Sequence, residues 1–172
     1  ARAGAAGEGE MTLDSRGPRV AVAGLVLAAT TLVGIALKES YTDRAVIPVP
    51  GDVPTVGFGT TRHADGAPVK MGETTTPPRA LVDLMRDADR FAQAVKRCAP
   101  VPMHPYEFSA YVSLAYNIGE GAFCKSTVAR RLNAGDYQGA CEAILMWDKV
   151  GGRTVRGLTL RRQAEYRECL GE

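Results

Sequence analysis

Apolar positions are distributed unevenly along the chain. Residues 20–37 carry no charge and end against Lys38 and Glu39, and their eighteen positions just reach the length of a membrane span. Half of them are Ala, Gly or Thr, and the nine Val, Leu and Ile residues supply only about −3 to −5 kcal/mol of insertion free energy before the cost of Gly and Thr is subtracted. The segment is therefore a reluctant span that could leave the bilayer, and the same small-residue composition would also suit a helix buried in a soluble core. Residues 44–61 (RAVIPVPGDVPTVGFGTT) are rich in Val, Pro and Gly, which favours short strands and turns and makes this the chain's one convincing β region.

After it the apolar period turns helical. Thr76, Pro77 and Pro78 open a helix that carries Leu81, Leu84, Met85, Ala88, Phe91, Ala92 and Val95 at helical spacing. A second helix starts at Pro105, runs through Phe108, Val112, Leu114 and Ala115, and stops at Gly119. Ser126 or Thr127 caps a third through Leu132 towards Gly135, Asp136 caps a fourth through Trp147, and Thr159 opens a last one to Leu170. The pattern predicts an α+β, mainly α chain with a small β lobe followed by a helical lobe.

At 172 residues and 45% hydrophobic composition there is material for one core and too little for two ordinary domains. Residues 1–10 are small, polar or flexible, and Met11 follows them in the position of an initiator. The expected division is a flexible N-terminus over 1–19, an anchor segment over 20–37 and a folded domain over 38–172. A net charge of +2 is far from the basic stripe that nucleic-acid binding needs, so nucleic acid is excluded as a partner. Arg16 and Arg19 ahead of the apolar run favour a cytoplasmic N-terminus, which puts everything after Lys38 on the far side of an inner membrane. Cleavage as a signal peptide fits less well, because Ala21 to Ala23 lies at the wrong end of the run.

The four cysteines, Cys98, Cys124, Cys141 and Cys169, all follow the apolar run, and an even number on the exported side suggests two disulfides. Three connectivities are open. Cys124 with Cys141 and Cys98 with Cys169 is the preferred one, the shorter loop contributing about 3 kcal/mol in the chain-entropy model. No C-x-x-C pair occurs and His63 and His104 are remote from the cysteines, so neither a metal site nor a cofactor is expected.

The candidate chemistry lies at Glu39, directly after the apolar run and ahead of a Gly-rich β segment containing Asp52 and Thr55. A carboxyl group at a helix end beside an apolar wall can stay protonated near neutral pH and act as a general acid. Glycosidic hydrolysis also needs a second group that attacks or that orients water on the opposite face of the sugar, and Asp52 and Thr55 are the nearby candidates. Each has a plainer reading: Glu39 as the polar end of an anchor, Asp52 as a turn residue after Pro50 and Gly51, Thr55 as a strand residue. His63 and His104 read as surface or structural.

These pieces resemble the phage-type lysozymes of glycoside hydrolase family 24, in particular the signal-anchor-release endolysins of double-stranded DNA phages. The matching stretches are Glu39 behind a weak anchor, PTVGFGTT at 54–61, AYNIGEGAFCKSTVARRLNAGDYQGAC at 115–141, and WDKVGGRTVRGLTLRRQAEYREC at 147–169, with the Arg161 and Arg162 pair. The resemblance implies a lysozyme-like fold and a muramidase that hydrolyses the β-1,4 bond between N-acetylmuramic acid and N-acetylglucosamine in peptidoglycan glycan strands. It implies a Glu, Asp and Thr triad in which Glu39 matches the acid and Thr55 the threonine. The family places its aspartate nine residues after the glutamate, where this chain has Pro48, so Asp52 is assigned that place across an altered turn.

The resemblance further implies inversion at the anomeric carbon by a water held between Asp and Thr, and no cofactor. It implies a monomer whose residues 20–37 tether it, inactive, to the host inner membrane facing the periplasm, until release makes it soluble there. No cysteine lies in the anchor, so control would come from repositioning the helix rather than from disulfide exchange. Two rival classes are a lytic transglycosylase acting with a single Glu, and a non-enzymatic membrane-tethered wall-binding protein.

Overall fold

The computed structural model describes residues 17–172. Residues 1–16, which include Arg16 and most of the expected flexible N-terminus, lie outside the described residues. Helix α1 (Ala29–Lys38) leads into a small antiparallel pair, β1 (Thr42–Val46) and β2 (Thr55–Gly57), with Thr42 opposite Gly57 and Val46 opposite Thr55. Then come α2 (Pro77–Cys98), α3 (Pro105–Ile118), α4 (Glu120–Cys124), α5 (Thr127–Asn133) and α6 (Tyr137–Ile144). A second ribbon, β3 (Lys149–Val150) with β4 (Arg153–Thr154), precedes α7 (Arg156–Cys169). The expected small β lobe and larger helical lobe are both present.

α3 is the axis of the helical lobe. Phe108, Ala110, Tyr111, Val112, Leu114 and Ala115 are all fully buried, and the polar side chains buried with them, Glu107, Ser109 and Ser113, are hydrogen-bonded to Arg19, Thr31 and Glu165 respectively. α2 is amphipathic and buries Ala80, Leu84, Ala88, Phe91, Ala92 and Val95 on one face; Leu81 and Met85, which the helical spacing grouped with them, are exposed, the buried stripe being narrower than the apolar one. Phe123, Leu132 and Ile144 complete the main core. The β lobe has its own small cluster of Ala45, Val56 and Val69. Gly57 shows how tightly it seats against α2: with φ of 67°, a Cβ there would lie 2.9 Å from that of Ala80.

The apolar stretch 20–37 is not one helix. Val20 exchanges backbone hydrogen bonds with Met103 (3.0 and 2.9 Å), Val22–Gly24 forms a single 3-10 turn, and α1 begins only at Ala29. Among the described residues no helix is long and apolar enough to cross a membrane. Val22, Leu25 and Ile35 are buried, Ile35 against Leu84 and Ala88, while Val26, Val33 and Leu37 stay on the surface. Arg19 secures the front of the segment, giving hydrogen bonds of 2.7 to 3.1 Å to the buried Glu107 carboxylate and lying 3.8 Å over the Tyr137 ring.

The disulfides correct the preferred pairing: Cys98 joins Cys124 and Cys141 joins Cys169. α5 stands between Cys124 and Cys141, whereas the ends of α2 and α4 lie together, as do α6 and α7. Two loops of 26 and 28 residues replace the expected short and long ones. Other differences are local. α6 ends at Ile144 rather than Trp147, and α7 begins at Arg156, with Thr159 in its first turn giving its hydroxyl to the Val155 carbonyl. The β3–β4 ribbon turns on Gly151 and Gly152, both at positive φ; strands of two residues carry no alternation to read.

Candidate active site

Glu39 sits where α1 ends. Its N–H closes the last helical bond to the Ile35 carbonyl at 2.9 Å, and its own backbone is extended (φ −93°, ψ 122°), so the chain leaves the helix there and enters the β lobe. Its side chain faces a cleft of about 740 Å³ between the lobes, whose walls include Asp52, Thr55 and Pro48 from the hairpin and Asp87, Phe91, Tyr116 and Asn117 from the helical lobe. The three sequence candidates thus share one cavity.

The turn that carries Asp52 explains how it reaches this cavity. The Asp52 N–H donates to the Val49 carbonyl at 3.0 Å across Pro50 and Gly51, and Gly51 has φ of 88°, the left-handed conformation that the third residue of such a turn requires. Asp52 is exposed, and one carboxylate oxygen accepts the Val53 N–H at 2.8 Å. The Thr55 hydroxyl donates to the Val46 carbonyl at 3.4 Å across the hairpin, which leaves its lone pairs available. Pro48 also lines the cleft but offers no polar side-chain atom.

Glu39 does not meet the apolar wall expected of it. Arg161 Nη1 donates to its Oε1 at 2.7 Å, with Glu39 about one-fifth and Arg161 one-tenth exposed. Arg161 belongs to a buried charge network under the cleft. Its Nε donates to Glu165 Oε1 at 3.2 Å, and Glu165 and Arg162, both fully buried, approach to 3.1 Å. Ser113 donates to Glu165 Oε1 at 2.7 Å, and Lys38 donates to Ser113 at 3.1 Å. Arg162 Nη2 donates to Asn117 Oδ1 at 2.9 Å. Burial pulls the Lys38 ammonium below its ordinary pKa, with Glu165 opposing, and burial likewise lowers Arg162. The network braces α1, α3 and α7 against one another directly beneath Glu39.

Two further bonds fasten the lobes across the cleft. The Tyr116 hydroxyl donates to the Phe58 carbonyl at 2.8 Å, and burial raises that phenol's pKa well above its usual value. The Thr60 hydroxyl donates to Asp87 Oδ2, also at 2.8 Å. From the sequence, Arg161 and Arg162 were noted as a pair within the resemblance but given no chemical role, and the other residues of the network and of these two bonds were given none either. Arg161 and Glu165 are four apart and Arg162 and Glu165 three apart, spacings that place each pair on one helix face, and that was the available signal. Among the described residues no cluster of His, Cys, Asp and Glu suits a metal ion.

Residues 37–165 match the family model described as phage lysozyme. The chain belongs to that family. It is accordingly a lysozyme-type glycosidase whose substrate is peptidoglycan. The SAR-endolysin of Pseudomonas phage phiKMV is 36% identical over 151 residues, 86% of this chain and 89% of that protein. The endolysin of Salmonella phage P22 is 38% identical over 99 residues, 58% of this chain and 68% of its own length. Among solved structures, the endolysin from Escherichia coli O157:H7 phage FAHEc1 matches with a TM-score of 0.73 at 37% identity, covering 86% of this chain and 94% of the other.

Proposed function

We propose that this phage lysozyme is a signal-anchor-release endolysin that hydrolyses the β-1,4 bond between N-acetylmuramic acid and N-acetylglucosamine with inversion. The observation that carries this reading is the cleft between the lobes, which takes Glu39 from one wall and Asp52 and Thr55 from the hairpin. Arg161 orients Glu39 through Oε1, and in the protonated form of Glu39 the proton sits on Oε2, from which it passes to the leaving oxygen. Asp52 keeps a carboxylate oxygen clear of its bond to Val53, and Thr55 keeps its lone pairs, so the two can hold the attacking water on the other face of the ring. Pro48 has no group for that task. Proton NMR of the first product formed tests the stereochemistry: the α-anomer of the new reducing end is expected, and initial β-anomer would mean retention.

The proposed anchor is residues 20–37. Two features support it: relatives that carry the SAR-endolysin name, and the persistence of Val26, Val33 and Leu37 on the surface of the folded chain. A span through the bilayer would remove Ile35 from Leu84 and Ala88, Thr31 from Ser109 (2.9 Å) and Arg19 from Glu107. Because α1 ends on Glu39, the same displacement takes the acid away from Arg161 and the cleft. Membrane and cleft therefore compete for one helix. Cell fractionation with and without depolarisation tests this: the protein should move from the inner membrane to the periplasm on depolarisation, and an equal distribution in both states would refute the anchor.

A further inference from the structure

Six charged side chains line the cleft, and five of them have an internal partner: Lys38 on Ser113, Glu39 on Arg161, Asp52 on the Val53 N–H, Asp87 on Thr60 and Arg86, Glu120 on Arg97. Arg90 differs. It is exposed on the α2 wall and, among the described residues, forms no hydrogen bond or ion pair; its guanidinium lies 4.7 Å over the ring of Phe91. The carboxylate one helical turn away on α2, Asp87, is already engaged on both oxygens. Phe91 is in turn fixed against Tyr116 at 5.2 Å between ring centres, so the aromatic base under Arg90 is rigid.

An uncommitted guanidinium on a substrate cleft is a ready site for a carboxylate, which it can take through two parallel N–H bonds. The substrate class carries such groups: each muramic acid bears a lactyl carboxyl, free or amide-linked to a peptide that itself ends in free carboxyls. Resting on the glycosidase reading above, we propose that Arg90 is a specificity residue that binds a carboxylate of the peptidoglycan strand beside the scissile bond. It would favour muramic acid-bearing glycan over neutral β-1,4 sugar polymers without touching the reacting atoms.

The test compares wild type, Arg90→Gln and Arg90→Lys on three substrates: intact peptidoglycan, peptide-stripped strands with free lactyl carboxylates, and peptidoglycan whose carboxyls have been amidated. On intact peptidoglycan Arg90→Gln should raise KM about tenfold with kcat within about twofold, the signature of lost ground-state binding, and Arg90→Lys should recover part of the loss. On amidated peptidoglycan wild type and Arg90→Gln should be equal. A gap that persists on stripped strands identifies the lactyl carboxylate, and one that vanishes there identifies the peptide; both support the proposal. An equal gap on native and amidated substrate, or no gap while wild type cleaves normally, overturns it. A wild-type protein releasing no reducing ends from any substrate would instead overturn the glycosidase reading, and this inference with it.

Discussion

Glu39 and its surroundings show what a single residue's position can and cannot reveal. Its place behind the apolar run and ahead of PTVGFGTT made it and Thr55 candidates on local sequence alone. Asp52 was harder, because Pro48 stands where the resemblance expects the aspartate, and Asp52 reaches the cleft only through the Pro50–Gly51 turn. Arg161, 122 residues away, was not legible as Glu39's partner, since long-range charge pairing leaves no periodic trace. Glu39→Gln should lower the rate of peptidoglycan cleavage by about 10²-fold or more, the usual range for a lost general acid. Asp52→Ala should do comparable damage with little effect on melting, since among the described residues the Asp52 carboxylate has one hydrogen bond, an exposed one from the Val53 N–H, and the backbone bond to Val49 survives the substitution. If Asp52→Ala kept most of its activity while Glu39→Gln lost it, the assignment of Asp52 would be wrong. The buried pair below carries the opposite expectation: Glu165→Gln leaves Arg162 without its charge partner in the core and should cost about 3–5 kcal/mol in denaturant unfolding.

At the scale of elements, α2, α3 and α5 were legible because each combines a 3.6-residue apolar period with a start or stop residue: Pro77, Pro105 with Gly119, and Ser126, whose hydroxyl accepts the Ala129 N–H. What could not be read was which elements meet, and the disulfide pairing depends on that alone. Each bridge closes a loop of nearly thirty residues, so reduction should remove about 3–4 kcal/mol and lower the melting temperature by roughly 6–16 °C per bridge. The segment before Glu39 is ambiguous in sequence because the same composition serves a bilayer and a protein surface. A side chain at Gly24 or Gly34 would meet nothing within 4 Å, and Ala28 is exposed, so replacing all three by Leu should leave the released fold intact. The variant should insert more firmly and delay lysis. Unchanged release kinetics in fractionated cells would count against the anchor.

For the whole molecule, the proposed catalytic and anchoring roles meet at one junction. The β lobe contributes Asp52 and Thr55, the helical lobe contributes the charge network under Glu39, and α1 links that junction to the proposed anchor. Two lobes could be expected from the change of period near residue 76, but the cleft between them arises from packing, through Tyr116 on Phe58 and Thr60 on Asp87. The most direct test of this account is mass spectrometry of peptidoglycan digested by the purified soluble protein, with Glu39→Gln in parallel. Muropeptides ending in reducing N-acetylmuramic acid are expected from the wild type, and about 10²-fold less of them, or lower still, from the variant. Anhydro-muramic ends, or undiminished cleavage by Glu39→Gln, would contradict this account.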